Sequence, residues 1–147
     1  MIKYLIFDWG GVCTHGHLLR DFSDNLAIRT GMKKEEIESV FRESEYPYET
    51  GNVSPEKFWD DFKEKLGLTI ELGEIKSVFL NSYVLNQEVL DYILELKKRY
   101  EIVLFTNNYE DLFSFIKKNY NLEKYFDFMF SSSDIKHKKP EAEAYEF

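Results

Sequence analysis

Residues 4–14 read Tyr-Leu-Ile-Phe-Asp-Trp-Gly-Gly-Val-Cys-Thr, a short apolar run that reaches one carboxylate and then two glycines. An unbroken apolar run of this length is the pattern of a strand that a parallel sheet buries on both faces, so Asp8 stands where a strand ends. In an open α/β sheet the carboxyl ends of the strands line the ligand crevice, and an acid placed there faces a ligand more readily than the core. Gly10 and Gly11 let the backbone turn sharply and come close to a bound group. An aspartate on a rigid strand end, beside backbone N–H donors, has the placement of a nucleophile toward a phosphoryl group. Taken alone, the same letters also spell an ordinary strand-ending turn, and the rest of the chain has to decide.

Downstream of this stretch, residues 17–83 carry several helical patterns and no convincing strand. Leu18, Leu19, Phe22 and Leu26 fall at helical spacing before Gly31, a C-terminal stop. Ile37, Val40 and Phe41 share one face of a second helix, expected to break before Pro47. A polar turn is expected through residues 48–52. Ser54-Pro55-Glu56 reads as an N-cap, a first-turn proline and an acid at the positive helix end, followed by the stripe Phe58, Phe62 and Leu66 up to Gly67. Ile75, Val78, Phe79 and Tyr83 suggest a fourth helix. Aromatic stripes of this kind are core before they are cofactor contacts.

From Asn86 a helix carries Val89, Leu90, Ile93 and Leu94, with Lys97, Lys98 and Arg99 in its last turn. The apolar run of residues 101–105 ends in Thr106-Asn107-Asn108, the next helix uses Leu112, Phe113, Ile116 and Tyr120, and a third strand, Phe128-Met129-Phe130, ends in serines and Asp134. Strands alternating with helices imply parallel crossovers, hence an α/β doubly wound parallel sheet with an inserted helical segment.

The 147 residues fit one domain of ordinary size, with 44% hydrophobic and 17% aromatic residues, a globular composition. A net charge of −8 argues against a nucleic-acid partner, which needs a basic face. Cys13 is the single cysteine, so there is no disulfide framework and a reducing compartment fits. The N-terminal apolar run is too short for a membrane span and lacks a signal-peptide pattern, so a cytoplasmic protein with no membrane partner is expected.

Three strand ends thus present polar groups toward one crevice: Asp8, Thr106 with Asn107, and the basic loop Lys136-His137-Lys138-Lys139-Pro140. A hydroxyl and backbone N–H groups at a strand-to-helix junction can hold phosphate oxygens. A lysine fixed by a following proline can balance a carboxylate and a phosphoryl group side by side, and Lys139 is that lysine.

On these residues the chain resembles the haloacid dehalogenase (HAD) superfamily of phosphatases and related hydrolases along its whole length. The first family motif, a strand then Asp-x-Asp-Gly-(Thr/Val), is similar to Phe7-Asp8-Trp9-Gly10-Gly11-Val12. The second, a strand then Thr/Ser-Asn, is similar to Phe105-Thr106-Asn107, and the third, Lys before Pro-(Glu/Asp), to Lys139-Pro140-Glu141. The resemblance implies a Rossmann-like HAD core at 1–16 and 84–147 with a helical cap at 17–83. It also implies a phosphatase of a small phosphorylated metabolite, working through an aspartyl-phosphate. In that scheme Asp8, Thr106 and Lys139 are catalytic, Gly10, Gly11 and Asn107 bind substrate, and Mg²⁺ is held by Asp8 and the Gly10 carbonyl.

The chain departs from the family pattern twice. Gly10 stands where the family's phosphatases usually carry a second aspartate as general acid and base, and a glycine transfers no proton. His15 and His17 are nearby candidates for that task. The fourth motif, an acidic pair after a further strand, has no counterpart before Phe147. One or two terminal βα units are therefore expected to be missing, leaving the first strand as an open edge. Weak Mg²⁺ binding, low or lost activity and a homodimer through that edge would follow. A dehalogenase-type hydrolase, whose aspartate attacks carbon, and a non-catalytic remnant that binds anions or a partner are the alternative readings.

Overall fold

A computed structural model describes residues 2–146. Strand β1 (Tyr4–Phe7) runs into a tight turn over Trp9–Cys13 and a two-residue strand β2 (Thr14–His15). Five helices follow: α1 (Leu18–Thr30), α2 (Lys34–Glu43), α3 (Glu45–Glu49), α4 (Pro55–Lys65) and α5 (Leu72–Leu80). Strand β3 (Val84–Leu85) then pairs antiparallel with β2, so the five helices leave and return through one short ribbon. Helix α6 (Gln87–Leu96), strand β4 (Glu101–Thr106), helix α7 (Glu110–Tyr120), strand β5 (Phe128–Ser131) and helix α8 (Ser132–Ile135) complete the regular elements.

The main sheet is parallel, in the order β1-β4-β5, with Phe7 level with Leu104, and Thr106 level with Ser131. Parallel neighbours need crossover connections, which here are the helices themselves. The fold is therefore α/β, with its strand ends gathered on one side.

Local signals act as the sequence suggests. Ser54 Oγ accepts the Lys57 N–H and Pro55 opens α4, while Asn86 Oδ1 accepts the Val89 N–H at the start of α6. Gly31, at φ +73°, closes α1 by donating to the Ala27 carbonyl. Helix α2 ends at Glu43, before Pro47 as expected, and Pro47 sits in the first turn of α3, where the missing N–H costs no intrahelical bond. One expectation needs correction. Helix α6 ends at Leu96, so Lys97, Lys98 and Arg99 follow it instead of forming its last turn.

One continuous apolar core joins the sheet to the helical segment. On the sheet side it holds Ile102, Leu104, Leu90, Ile93, Leu112 and Phe113; among the helices it is mostly aromatic, with Phe22, Phe41, Tyr48, Phe58, Trp59 and Phe79 all buried. Trp9 is fully buried, stacked on Tyr120 and edge-on to Tyr83. Strand β1 departs from the expected two-sided burial: Tyr4 is 52% and Ile6 66% exposed, because they lie on the sheet face shared with Val103, Phe105 and Phe130, which is open at β1, while the other face meets the core. Among the described residues no helix is long and apolar enough to cross a membrane.

Candidate active site

Asp8 ends β1 with its Oδ1 accepting the Trp9 N–H at 2.7 Å, an arrangement that fixes the carboxylate at the mouth of the turn. The turn itself is closed from behind. Gly11 N–H donates to Thr14 Oγ1 at 3.2 Å, and the Cys13 thiol donates to the Asp8 carbonyl at 3.2 Å. Burial and the nearby Asp8 charge push the Cys13 thiol up to about 12, so this cysteine is a neutral packing group. Gly11 needs its glycine, at φ +74°, and a side chain at Gly10 or Gly11 would meet no atom within 4 Å. Both glycines face open space.

Lys139 reaches Asp8 from the loop after α8, with Nζ 3.0 Å from Asp8 Oδ2 and 2.7 Å from the Phe105 carbonyl it donates to. Its backbone is clasped by Asn107: the Lys139 N–H donates to Asn107 Oδ1 at 2.8 Å, and Asn107 Nδ2 donates to the Lys139 carbonyl at 3.0 Å. This two-bond clasp across 32 residues holds the lysine loop against the end of β4.

The cleft at this point has a volume of about 280 Å³. Its floor includes Gly10, Gly11 and Asn107, and its walls include His17 of the β2–α1 loop, Glu45 and Glu49 of α3, and Tyr83 and Tyr109. Tyr109 is buried and donates to Glu45 Oε1 at 3.0 Å; burial pushes its phenol well above the ordinary range. Glu49 pairs with Lys138, whose Nζ lies 2.5 Å from Glu49 Oε2. Burial raises the Glu49 carboxyl above its usual value, with Lys138 pulling the other way.

Of the residues singled out from the sequence, Asp8, Gly10, Gly11, Asn107 and Lys139 come together. Thr106 ends β4 beside them but is 1% exposed, and its hydroxyl donates to the Asn107 carbonyl at 3.3 Å. His17 lines the cleft and His15, on β2, does not. The expectation of backbone donors around the two glycines is reduced at Gly11, whose N–H already serves Thr14. Glu45, Glu49 and Tyr109 were not visible as site residues in the sequence. Glu45 and Glu49 are four apart on a five-residue helix, and their link to the cleft is made only by the fold.

Comparison with known proteins places this geometry. A family model for haloacid dehalogenase-like hydrolases matches residues 2–147. A D-ribitol-5-phosphate phosphatase of Bacteroides thetaiotaomicron is 27% identical, over the whole chain and 75% of that protein. A HAD family enzyme of the same organism, solved with magnesium and inorganic phosphate, superposes with a TM-score of 0.80 at 25% identity, covering 99% of this chain and 76% of that one. An L-2-haloacid dehalogenase of Xanthobacter autotrophicus shares the fold at a TM-score of 0.64 and 19% identity, covering 99% of this chain and 63% of that one. A strand-end aspartate paired with a clasped lysine, on a sheet that a family model matches end to end, makes this chain a member of the haloacid dehalogenase-like hydrolases.

Proposed function

We propose that the protein is a phosphatase of small phosphate monoesters in which Asp8 is the nucleophile. The observation that carries this reading is the 3.0 Å approach of Lys139 Nζ to Asp8 Oδ2, with the lysine held in place by the Phe105 carbonyl and Asn107. A carboxylate cannot approach a phosphate dianion without a cation to offset the repulsion, and phosphoryl transfer is driven mainly by such positioning and charge neutralisation.

In this reading Asp8 attacks phosphorus, the bond to the leaving alcohol breaks, and Lys139 neutralises charge on the phosphoryl oxygens. Gly10, Gly11 and Asn107 line the space the phosphate would take, and Thr106 supports Asn107 from behind. Water then cleaves the aspartyl-phosphate. Asp8 and the Gly10 carbonyl are hard oxygen donors of the kind Mg²⁺ accepts alongside water and a substrate phosphate. Bound there, Mg²⁺ would withdraw charge from the phosphoryl group. Helices α1–α5, residues 17–83, act as a cap whose walls select the rest of the substrate. The relative named as a D-ribitol-5-phosphate phosphatase supports a small phosphorylated polyol.

The test is release of inorganic phosphate from an aryl phosphate in the presence and absence of Mg²⁺. Asp8→Asn keeps the shape and the acceptor for the Trp9 N–H while removing the attacking charge; a folded Asp8→Asn protein as fast as the parent would place the nucleophile elsewhere.

A further inference from the structure

Breaking a phosphate ester of an alkyl alcohol leaves an alkoxide, a poor leaving group unless a proton reaches it as the bond breaks. Asp8 is committed to attack, and Gly10 has no proton to give. Among the residues lining the cleft, the carboxylic acids and imidazole able to pass a proton are Glu45, Glu49 and His17. Glu45 is occupied on both oxygens, by the Tyr109 hydroxyl at 3.0 Å and by Arg42 at 3.5 Å. Glu49 is different. Its side chain is only 12% exposed, it meets the lysine loop through Lys138, and its backbone carbonyl accepts the Ser132 hydroxyl, so its position is fixed from two sides.

We propose that Glu49 is the catalytic acid and base of this site, supplied by the helical segment instead of by the strand that carries the nucleophile. The proposal rests on the phosphatase reading above. In the first half-reaction an Asp8 oxygen bonds to phosphorus, the ester P–O bond breaks, and the Glu49 carboxyl gives its proton to the departing alkoxide. In the second, the Glu49 carboxylate takes a proton from water as the water oxygen bonds to phosphorus and the P–O bond to Asp8 breaks, releasing inorganic phosphate and restoring both acids. Burial supports the protonated form at the start, and Lys138 supports the carboxylate that follows. The other groups facing Glu49 are Glu45 on its own helix, Glu141 beyond the lysine loop, and Tyr83 and Tyr109 of the cleft wall.

The experiment compares parent, Glu49→Gln, His17→Gln and Lys138→Gln on an alkyl and an aryl phosphate with Mg²⁺, with phosphoenzyme measured by intact-protein mass after acid quench. Glu49→Gln is expected to lose about 10²-fold in turnover of the alkyl ester. On the aryl ester, which needs no proton to leave, it should give a burst of phenol and accumulate one phosphoryl group, because the second half-reaction has lost its base. Lys138→Gln should move the alkaline limb of kcat/KM for the alkyl ester to higher pH, a change that simple loosening of the helix does not produce. Equal losses on both esters without phosphoenzyme, or the burst appearing in His17→Gln instead, would overturn the assignment of Glu49. A parent that hydrolyses neither ester, or an Asp8→Asn variant that accumulates phosphoenzyme, would instead overturn the underlying phosphatase reading.

Discussion

The aromatic cluster of the helical segment is fully enclosed while the polar cleft beside it is open to solvent, and the two hold together by different means. In the cluster, Phe41 is fully buried and makes edge-on contacts with Phe22, Phe58, Trp59 and Tyr109 at centroid distances of 5.0–6.2 Å. No single contact there decides the arrangement, because burial and many weak ring contacts share the load. In the cleft, by contrast, two hydrogen bonds from Asn107 and one lysine contact set where the charges stand. Redundancy therefore protects the cluster's geometry, while the cleft depends on a few atoms. Tyr109 belongs to both, stacking on Tyr48 at 4.5 Å while its hydroxyl reaches Glu45.

The sharpest way to test this contrast is to remove a charge from one region and a ring from the other. Asp8→Asn is expected to lower turnover of a phosphate ester by at least about 10³-fold with little change in melting temperature. Steady-state kinetics with a thermal melt on the same sample checks it, and a large drop in melting temperature would mean that Asp8 also serves the fold. Phe41→Ala should do the reverse. Loss of a fully buried ring costs about 3–5 kcal/mol of stability, read by urea denaturation, with turnover per folded molecule near the parent value. If activity fell before stability did, the two regions would be more tightly linked than their contacts imply.

A smaller effect is expected from Asn107→Ala, which removes both bonds that clasp the lysine loop. At roughly 1 kcal/mol for each bond, kcat/KM should fall about 10- to 30-fold while the fold persists. The same loss in an Asn107→Ala/Lys139→Met double variant as in Lys139→Met alone would show that Asn107 acts through the lysine. The smallest change concerns pH. Burial raises the Glu49 carboxyl in the folded state, so its contribution to stability is full below its ordinary value of 4.5 and is lost as pH rises through the raised folded value. The stability of the parent minus that of Glu49→Gln, measured by denaturation at several pH values, should decline across that window; a flat difference would mean that Lys138 fully compensates the burial.

Much of the fold was legible because its signals are local. Ser54 and Asn86 cap with their own side chains, Gly31 stops a helix by its own φ, and the runs ending at Phe7, Phe105 and Phe130 become the three parallel strands. The ribbon of β2 and β3 was not legible, since two residues carry no alternation to read. Asp8, Asn107 and Lys139 stood out because each follows a strand or precedes a proline. Glu49 did not, because what distinguishes it from any surface glutamate is a lysine 89 residues away. The turn expected through residues 48–52 is in part helix α3, and that single turn of helix brings Glu45 and Glu49 onto the cleft wall.

Gly51 has a consequence for how closely the helical segment and the sheet can be fitted together. At φ +64° it packs so near helix α8 and the residue that ends it that an added methyl would lie 2.5 Å from both the Ser133 carbonyl oxygen and Lys136 Nζ. The spacing between this turn and α8 is thus gauged by a hydrogen atom. Glu49 stands two residues before this point and Lys138 two residues after Lys136, so an alanine at position 51 would press on the Ser133 backbone close to the Glu49–Lys138 ion pair. The charges that meet at the cleft thus depend on a clearance set by a glycine that carries no charge itself.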